Sequence, residues 1–470
     1  MRDLFLAGFL AFFLAMGLRR PFLWVLAYLY IDIVAPQKIA FGFLTSIPVS
    51  LIVFVMAVVG WLFFDNKEGT RLSLRQGLIL TLLVYCFATT MNAAFPTYAA
   101  AKWDWVWKSL VFAAFLPLTL RTHLRLESAA LVMVLSAAAI IINGAIKTLA
   151  GGGGYGTLKF LVNDNTGLYE GSTLACVAIA IIPLVLWLSK YGTIIPASKQ
   201  TRMFAYALVF SALLIPVGTE ARTGLLCMGL LAVLMLRSVK YRFVYVGLIG
   251  LGAFLATTVL PNSFSNRMNT IQNNQSDQSA STRLAVWGWT IGYAAENPFG
   301  GGFDSYRGNR LLITTTDADN SGNTVVVRKD KVEDNGRAFH SAYFEMLGEQ
   351  GWPGLLLWLT LQLTGILQLE GVQRRLRRSE HPSDKRDAAL ALALQQGHFI
   401  YLLGAAFVGI AYQPFVYMLI GLQIGLVQIV RRRNAAQDAP GGGRRMVVPG
   451  AVSPVQPPAG GHGVTPMGMA

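Results

Sequence analysis

The sequence predicts an all-α polytopic membrane protein with about 12 transmembrane helices (roughly 11 to 13) and one large loop on the outer face. Three observations carry this. Hydrophobic residues make up 54% of the chain and charged ones only 13%, with mean hydropathy +0.49, so lipid is the main solvent. Apolar runs near the roughly 20 residues a spanning helix needs recur along the chain. Between them, one polar stretch at 261–340 carries 8 basic and 8 acidic residues.

Taken in order, two short runs, 4–18 and 21–35, are split by Arg19-Arg20 and Pro21 and read as two thin spans or one broken helical hairpin. No small-residue cleavage site follows Arg2, so the opening is expected to stay attached. Spans are then expected at 43–64, 76–95, 104–120, 128–148, 170–189, 202–217, 223–237, 241–260, 341–370, 388–411 and 414–430. Cys86, Cys176 and Cys227 fall inside these runs and read as packing residues. Four regions result: transmembrane helices with short connections over 1–260, the large and partly helical outer loop at 261–340, C-terminal transmembrane helices at 341–430, and a Gly/Pro/Ala-rich disordered tail at 431–470.

Charge orients the chain. Alternate connections, including Arg19-Arg20, 65–75, 121–127, 190–202, 237–242, 370–387 and the tail, hold 24 of the 39 basic residues and 8 of the 24 acidic ones. They are therefore expected on the cytoplasmic side, with the C-terminus, and the long loop faces outward. The net charge of +15 reflects topology and says nothing about nucleic acid, which is not expected as a partner. The long insertion occurs once, unlike the matched interruptions of inverted-repeat transporters.

Within the loop, Ser279 to Glu296 has helical character, with Trp287, Trp289 and Tyr293 among small residues, and Asn297-Pro298-Phe299-Gly300-Gly301-Gly302 ends it. Thr314 to Arg337 is polar, with a short β-like run Thr324-Val325-Val326-Val327, and is expected to be mobile until a ligand arrives. His340 stands at the mouth of the next long helix. A second outward connection, Pro216 to Gly224, puts Arg222 at the membrane boundary, where it either binds an anion, pairs with Glu220 or reaches headgroups. A third contains Lys147, Gly151-Gly152-Gly153-Gly154, Lys159 and Asn165. It lacks the Gly-Lys-Ser/Thr ending of a nucleotide loop and reads as a hinge, with Asn165 capping a helix or binding sugar hydroxyls. Trp103, Trp105 and Trp107 mark an interface belt or a lipid groove.

Three of these motifs carry a resemblance. Glu220-Ala221-Arg222-Thr223-Gly224, then Thr282-Arg283-Leu284-Ala285-Val286-Trp287 with Asn297 to Gly302, then His340-Ser341-Ala342-Tyr343-Phe344 running to Glu349, Gly351 and Gly354, are similar in order and spacing to bacterial O-antigen ligases and lipid-linked polysaccharide polymerases. The similarity covers roughly 40–430, and the opening, including Tyr30 to Leu44, looks most like the exosortase-associated O-glycosylation branch. The resemblance implies a GT-C-like helical fold in the bacterial inner membrane. It also implies transfer of a preassembled glycan from undecaprenyl diphosphate to an acceptor, commonly lipid A-core oligosaccharide, on the periplasmic face without a metal or cofactor. The chain's outward His residues are too few for a His cluster.

The chemistry fits these residues. Cleaving an anomeric carbon from a diphosphate builds negative charge on the leaving oxygens, which guanidinium groups stabilise with paired hydrogen bonds; Arg222 and Arg283 are assigned that role. A neutral imidazole takes the proton of the acceptor hydroxyl, and His340 is the candidate base, with Glu220, Glu345 and Glu349 as fallbacks. Direct attack inverts the anomeric centre. Lys147, Lys159, Asn165, Glu220 and Arg337 are further diphosphate or substrate contacts. A polymerase, a protein O-glycosylation ligase and a lipid-linked oligosaccharide flippase are the alternatives.

Overall fold

Helices follow the apolar runs. The computed structural model describes residues 2–40, 46–150, 168–236, 278–321 and 324–438. The expected span 241–260, the Gly151–Gly154 hinge, Lys159 and Asn165 lie outside them. The chain divides into residues 1–430 and 431–470; of the second unit, 431–438 are described, as the end of the last helix.

Helix α1 (Arg2–Arg19) turns back at Pro21 into α2 (Phe22–Val34), and the Trp24 indole donates to the Leu14 carbonyl at 2.9 Å, so the opening is a helical hairpin. After the short α3 (Pro36–Ile39) come α4 (Val49–Phe64) and α5 (Leu74–Met91), the latter started by a Ser73/Gln76 capping box. Next are α6 (Pro96–Thr119) and α7 (His123–Ala150). One apolar run is divided near Pro183, whose missing N–H breaks the ladder, into α8 (Gly171–Ala180) and α9 (Ile182–Tyr191). The rest are α10 (Lys199–Gly218), α11 (Arg222–Leu236), α12 (Gln278–Glu296), α13 (Ala342–Leu376), α14 (Pro382–Ala405) and α15 (Pro414–Asp438).

Among the described residues, α5, α7, α8 with α9, α10, α13, α14 and α15 give seven segments long and apolar enough to cross a membrane. The protein is thus a helical polytopic membrane protein. Shorter apolar helices are α1, α2, α4 and α11. Helix α6 differs in kind, carrying Lys102, Asp104 and Lys108 between its start and its middle. All three cysteines are buried and free.

The polar segment after α12 departs from the sequence expectation. Its backbone forms an antiparallel hairpin, β1 (Arg310–Ser321) with β2 (Thr324–Asn335), in register from Arg310 opposite Asn335 to Ser321 opposite Thr324. Ile313-Thr314-Thr315-Thr316 on one strand and Thr324 to Val327 on the other supply the β-branched residues that favour an extended chain. Interspersed aspartates and lysines hide that pattern in sequence.

Chain direction alternates from span to span, which gathers the ends of α2, α5, α7, α10 and α14 with the starts of α4, α6, α8, α11, α13 and α15. Cross-links tie that end together. The Tyr169 hydroxyl donates to Val34 O at 2.5 Å, Ala94 N–H to Gly301 O at 2.8 Å, and the Tyr343 hydroxyl to Leu402 O at 3.0 Å. The opposite end collects basic connections, with Arg125 on Asp65 at 2.6 Å and Arg386 on Glu127 at 2.6 Å.

Two motifs that are distant in sequence meet here as one joint. Helix α13 is broken at Gly351, whose φ of 63° and ψ of −167° no side-chain-bearing residue adopts without strain. Into that break fits the turn after α12: Gly301 N–H donates to Gly348 O at 3.0 Å, Gly302 N–H to Glu349 O at 2.9 Å, and Trp352 N–H to Pro298 O at 3.0 Å. A Cβ on Gly351 would stand 2.2 Å from Pro298 O, and one on Gly300 2.4 Å from Glu349 O. Gly351→Ala is therefore expected to cost about 1–3 kcal/mol in backbone strain alone. Thermal unfolding in detergent checks this against Gly371→Ala, on the same helix in open space, which should leave the midpoint unchanged or raised.

Candidate active site

At the end where α13 begins, three of the four described non-glycine residues with left-handed backbone are polar: Glu220 (φ 49°), Asp304 (φ 58°) and His340 (φ 49°). Such conformations persist only where surrounding structure enforces them, and they concentrate at functional sites.

His340 is held from both sides. Helix α12 lies against the chain before it: Trp287 donates its indole N–H to Phe339 O at 2.9 Å and stacks on Phe344, with ring centroids 4.9 Å apart. Val286, Leu311 and Phe339 form a small core beneath. Arg283 stands four residues before Trp287, one turn away on the same helix face, which brings its guanidinium toward His340. On the other side Asn309 clamps Arg337, accepting its N–H at 3.0 Å and donating to its carbonyl at 2.7 Å. The residue that caps α13 is Ser341, not His340. His340 instead lines a cavity of about 400 Å³.

His340 is an exposed residue on the cavity wall, within reach of neighbouring charges. Burial first, and the Arg283 guanidinium second, push its pKa below the usual histidine value; Glu170 opposes them and Arg337 adds to them. The ring is therefore held in the neutral form that accepts a proton.

Glu170 was not anticipated from the sequence. Its carboxylate caps α8, accepting the backbone N–H groups of Ser172 at 3.0 Å and Thr173 at 2.5 Å. The acid immediately before an apolar run is the signal that could have found it. Thr219 packs on the next residue, 3.3 Å from where a Cβ on Gly171 would lie. The turn Thr219-Glu220-Ala221 that starts α11 at Arg222 thus abuts the residue whose charge reaches His340. Glu220 is buried and Arg222 half-buried.

Of the sequence candidates, Arg283, Arg337 and His340 come together, and the Glu220-Arg222 turn adjoins them through Glu170. Arg337 is exposed and pairs with Asp334. Lys147 sits exposed in the last turn of α7.

The floor of the cavity is a second group the sequence did not suggest. The Lys102 ammonium lies 2.6 Å from Glu345, 2.7 Å from Glu349 and 3.9 Å from Asp304. Glu345 and Glu349, four residues apart on α13 and fallback bases in the sequence, both pair with this lysine. Glu345 also accepts the Ala411 N–H at 3.0 Å, and Glu349 the Asp304 N–H at 2.9 Å. Arg307 pairs with Asp304 at 3.4 Å and lies 3.6 Å over the Tyr98 ring. Trp105, read in sequence as a belt residue, lines this cavity and also a second of about 620 Å³.

A multi-span membrane protein with an imidazole, guanidinium groups and a polar cavity at one end of its helices is the class that fold and site define. Residues 206–359, which contain Arg222, Arg283, His340, Glu345 and Glu349, match the sequence profile of the family described as O-antigen ligase. Over that segment the chain is similar to the O-antigen ligase family. Residues 1–193, with Lys102 and Glu170, match a family of unknown function. A search of curated proteins returned no match.

Proposed function

We propose that this protein is a glycosyltransferase that moves a preassembled glycan from undecaprenyl diphosphate to a hydroxyl of lipid A-core oligosaccharide at the periplasmic face of the bacterial inner membrane. The observation that carries the reading is the His340 imidazole, lining a cavity within electrostatic reach of Arg283 and inside the segment that matches the O-antigen ligase profile. In the reaction, the acceptor hydroxyl oxygen attacks the anomeric carbon from the side opposite the diphosphate. The bond from that carbon to the diphosphate oxygen breaks, its electron pair leaves with undecaprenyl diphosphate, and the hydroxyl proton passes to His340. Arg283 and Arg222 meet the charge that grows on the leaving oxygens. The displacement inverts the anomeric centre and runs without a metal.

Purified full-length protein in liposomes, given undecaprenyl-diphosphate-linked glycan and rough lipopolysaccharide, is expected to form glycosylated lipopolysaccharide in the presence of EDTA. Longer lipid-linked chains without acceptor modification would identify a polymerase. Movement of donor across the bilayer with no new bond would identify a flippase.

A further inference from the structure

The Arg283 and Arg337 charges act on the His340 imidazole. The cavity that His340 lines also holds three acidic side chains, Asp304, Glu345 and Glu349, beside two cations, Lys102 and Arg307.

The carboxylates are not all consumed by internal pairing. Glu349 is fully buried, its Oε1 takes the Lys102 ammonium and the Asp304 N–H, and its Oε2 has no hydrogen-bond partner although the residue forms part of the cavity wall. A buried carboxylate oxygen left in that state asks for a donor from a ligand. Around it Tyr98, Trp105 and Tyr306 contribute aromatic surface to the same wall. A ligand with hydroxyl donors at its edge and an apolar face matches both features, and 400 Å³ lies within the range of small-molecule sites.

We propose that this cavity is the acceptor-sugar subsite: a pyranose ring lies along the aromatic wall, donates hydroxyls to Glu349 and Asp304, and presents its nucleophilic hydroxyl to His340. The shared chemistry is a pyranose ring, and the assignment to acceptor rather than donor rests on the transferase reading, because the base must face the hydroxyl it deprotonates. Lys102 is a positioning residue that holds the carboxylates in place.

Two soluble probes separate the sources: deacylated core oligosaccharide, and the repeat-unit oligosaccharide released from the donor. Binding of each to full-length protein in nanodiscs is measured by saturation-transfer NMR for wild type, Tyr98→Ala and Glu349→Gln. Tyr98 is exposed, so its variant retains the fold even where Glu349→Gln does not. Both substitutions are expected to weaken core oligosaccharide about tenfold and leave the repeat-unit oligosaccharide unaffected. Wild type that does not bind the core oligosaccharide, Tyr98→Ala that binds it normally, or a loss confined to the donor oligosaccharide overturns the subsite. Wild type that binds as expected yet forms no glycosidic bond sinks the transferase reading instead.

Discussion

His340→Gln is expected to lower transfer by about 10²–10⁴-fold, the usual contribution of a positioned general base, with donor binding retained. Glutamine keeps polarity and approximate size but cannot accept a proton. His340 is neither the cap of α13 nor part of its packed core, so the variant should unfold at the wild-type temperature. The wild-type pH profile carries an independent signature. A base works when deprotonated, so the rate rises with pH through the imidazole pKa and then levels. Burial and Arg283 depress that pKa, which places the acid limb below the ordinary histidine range. In His340→Gln this limb should disappear from the residual rate. Wild-type turnover, or an unaltered limb in the variant, would remove His340 from the chemistry.

Much of this was legible in sequence because the signals are local. Apolar runs give the spans, Pro21 marks the break between the first two, and the stretch that forms α12 shows helical character with its interleaved aromatics. His340 and Arg283 could be singled out because each stands in a short motif of recognisable order. What was not legible depends on long-range pairing. Lys102 meets Glu345 and Glu349 across 243 and 247 residues, and nothing around a lysine in an apolar run says which carboxylates await it. The Asn297–Gly302 turn and Gly351 look like two separate loop signals until their backbones hydrogen-bond to form one joint. The β hairpin was hidden for the opposite reason: its local pattern is diluted by charges, and strand pairing supplies the stability that composition does not display.

Arg283→Gln is expected to lower transfer by about 10²–10³-fold, the scale of losing one donor to charge that develops on a leaving group. Arg283→Lys should recover only part of this, since an ammonium keeps the charge but not the two parallel hydrogen bonds a guanidinium gives to phosphate oxygens. The guanidinium also sets the state of the base, and that effect has a sign of its own. Its positive charge disfavours imidazolium, so removing it raises the His340 pKa and moves the acid limb of the residual rate to higher pH. Glu170→Gln should move the limb the other way, because the Glu170 carboxylate favours the protonated ring, while glutamine still offers an oxygen to the start of α8. Opposite shifts from these two substitutions, read on kcat/KM against pH, tie both side chains to the same imidazole. If Arg283→Gln reduces the rate with the limb unmoved, Arg283 serves the diphosphate alone and the electrostatic coupling to His340 is wrong.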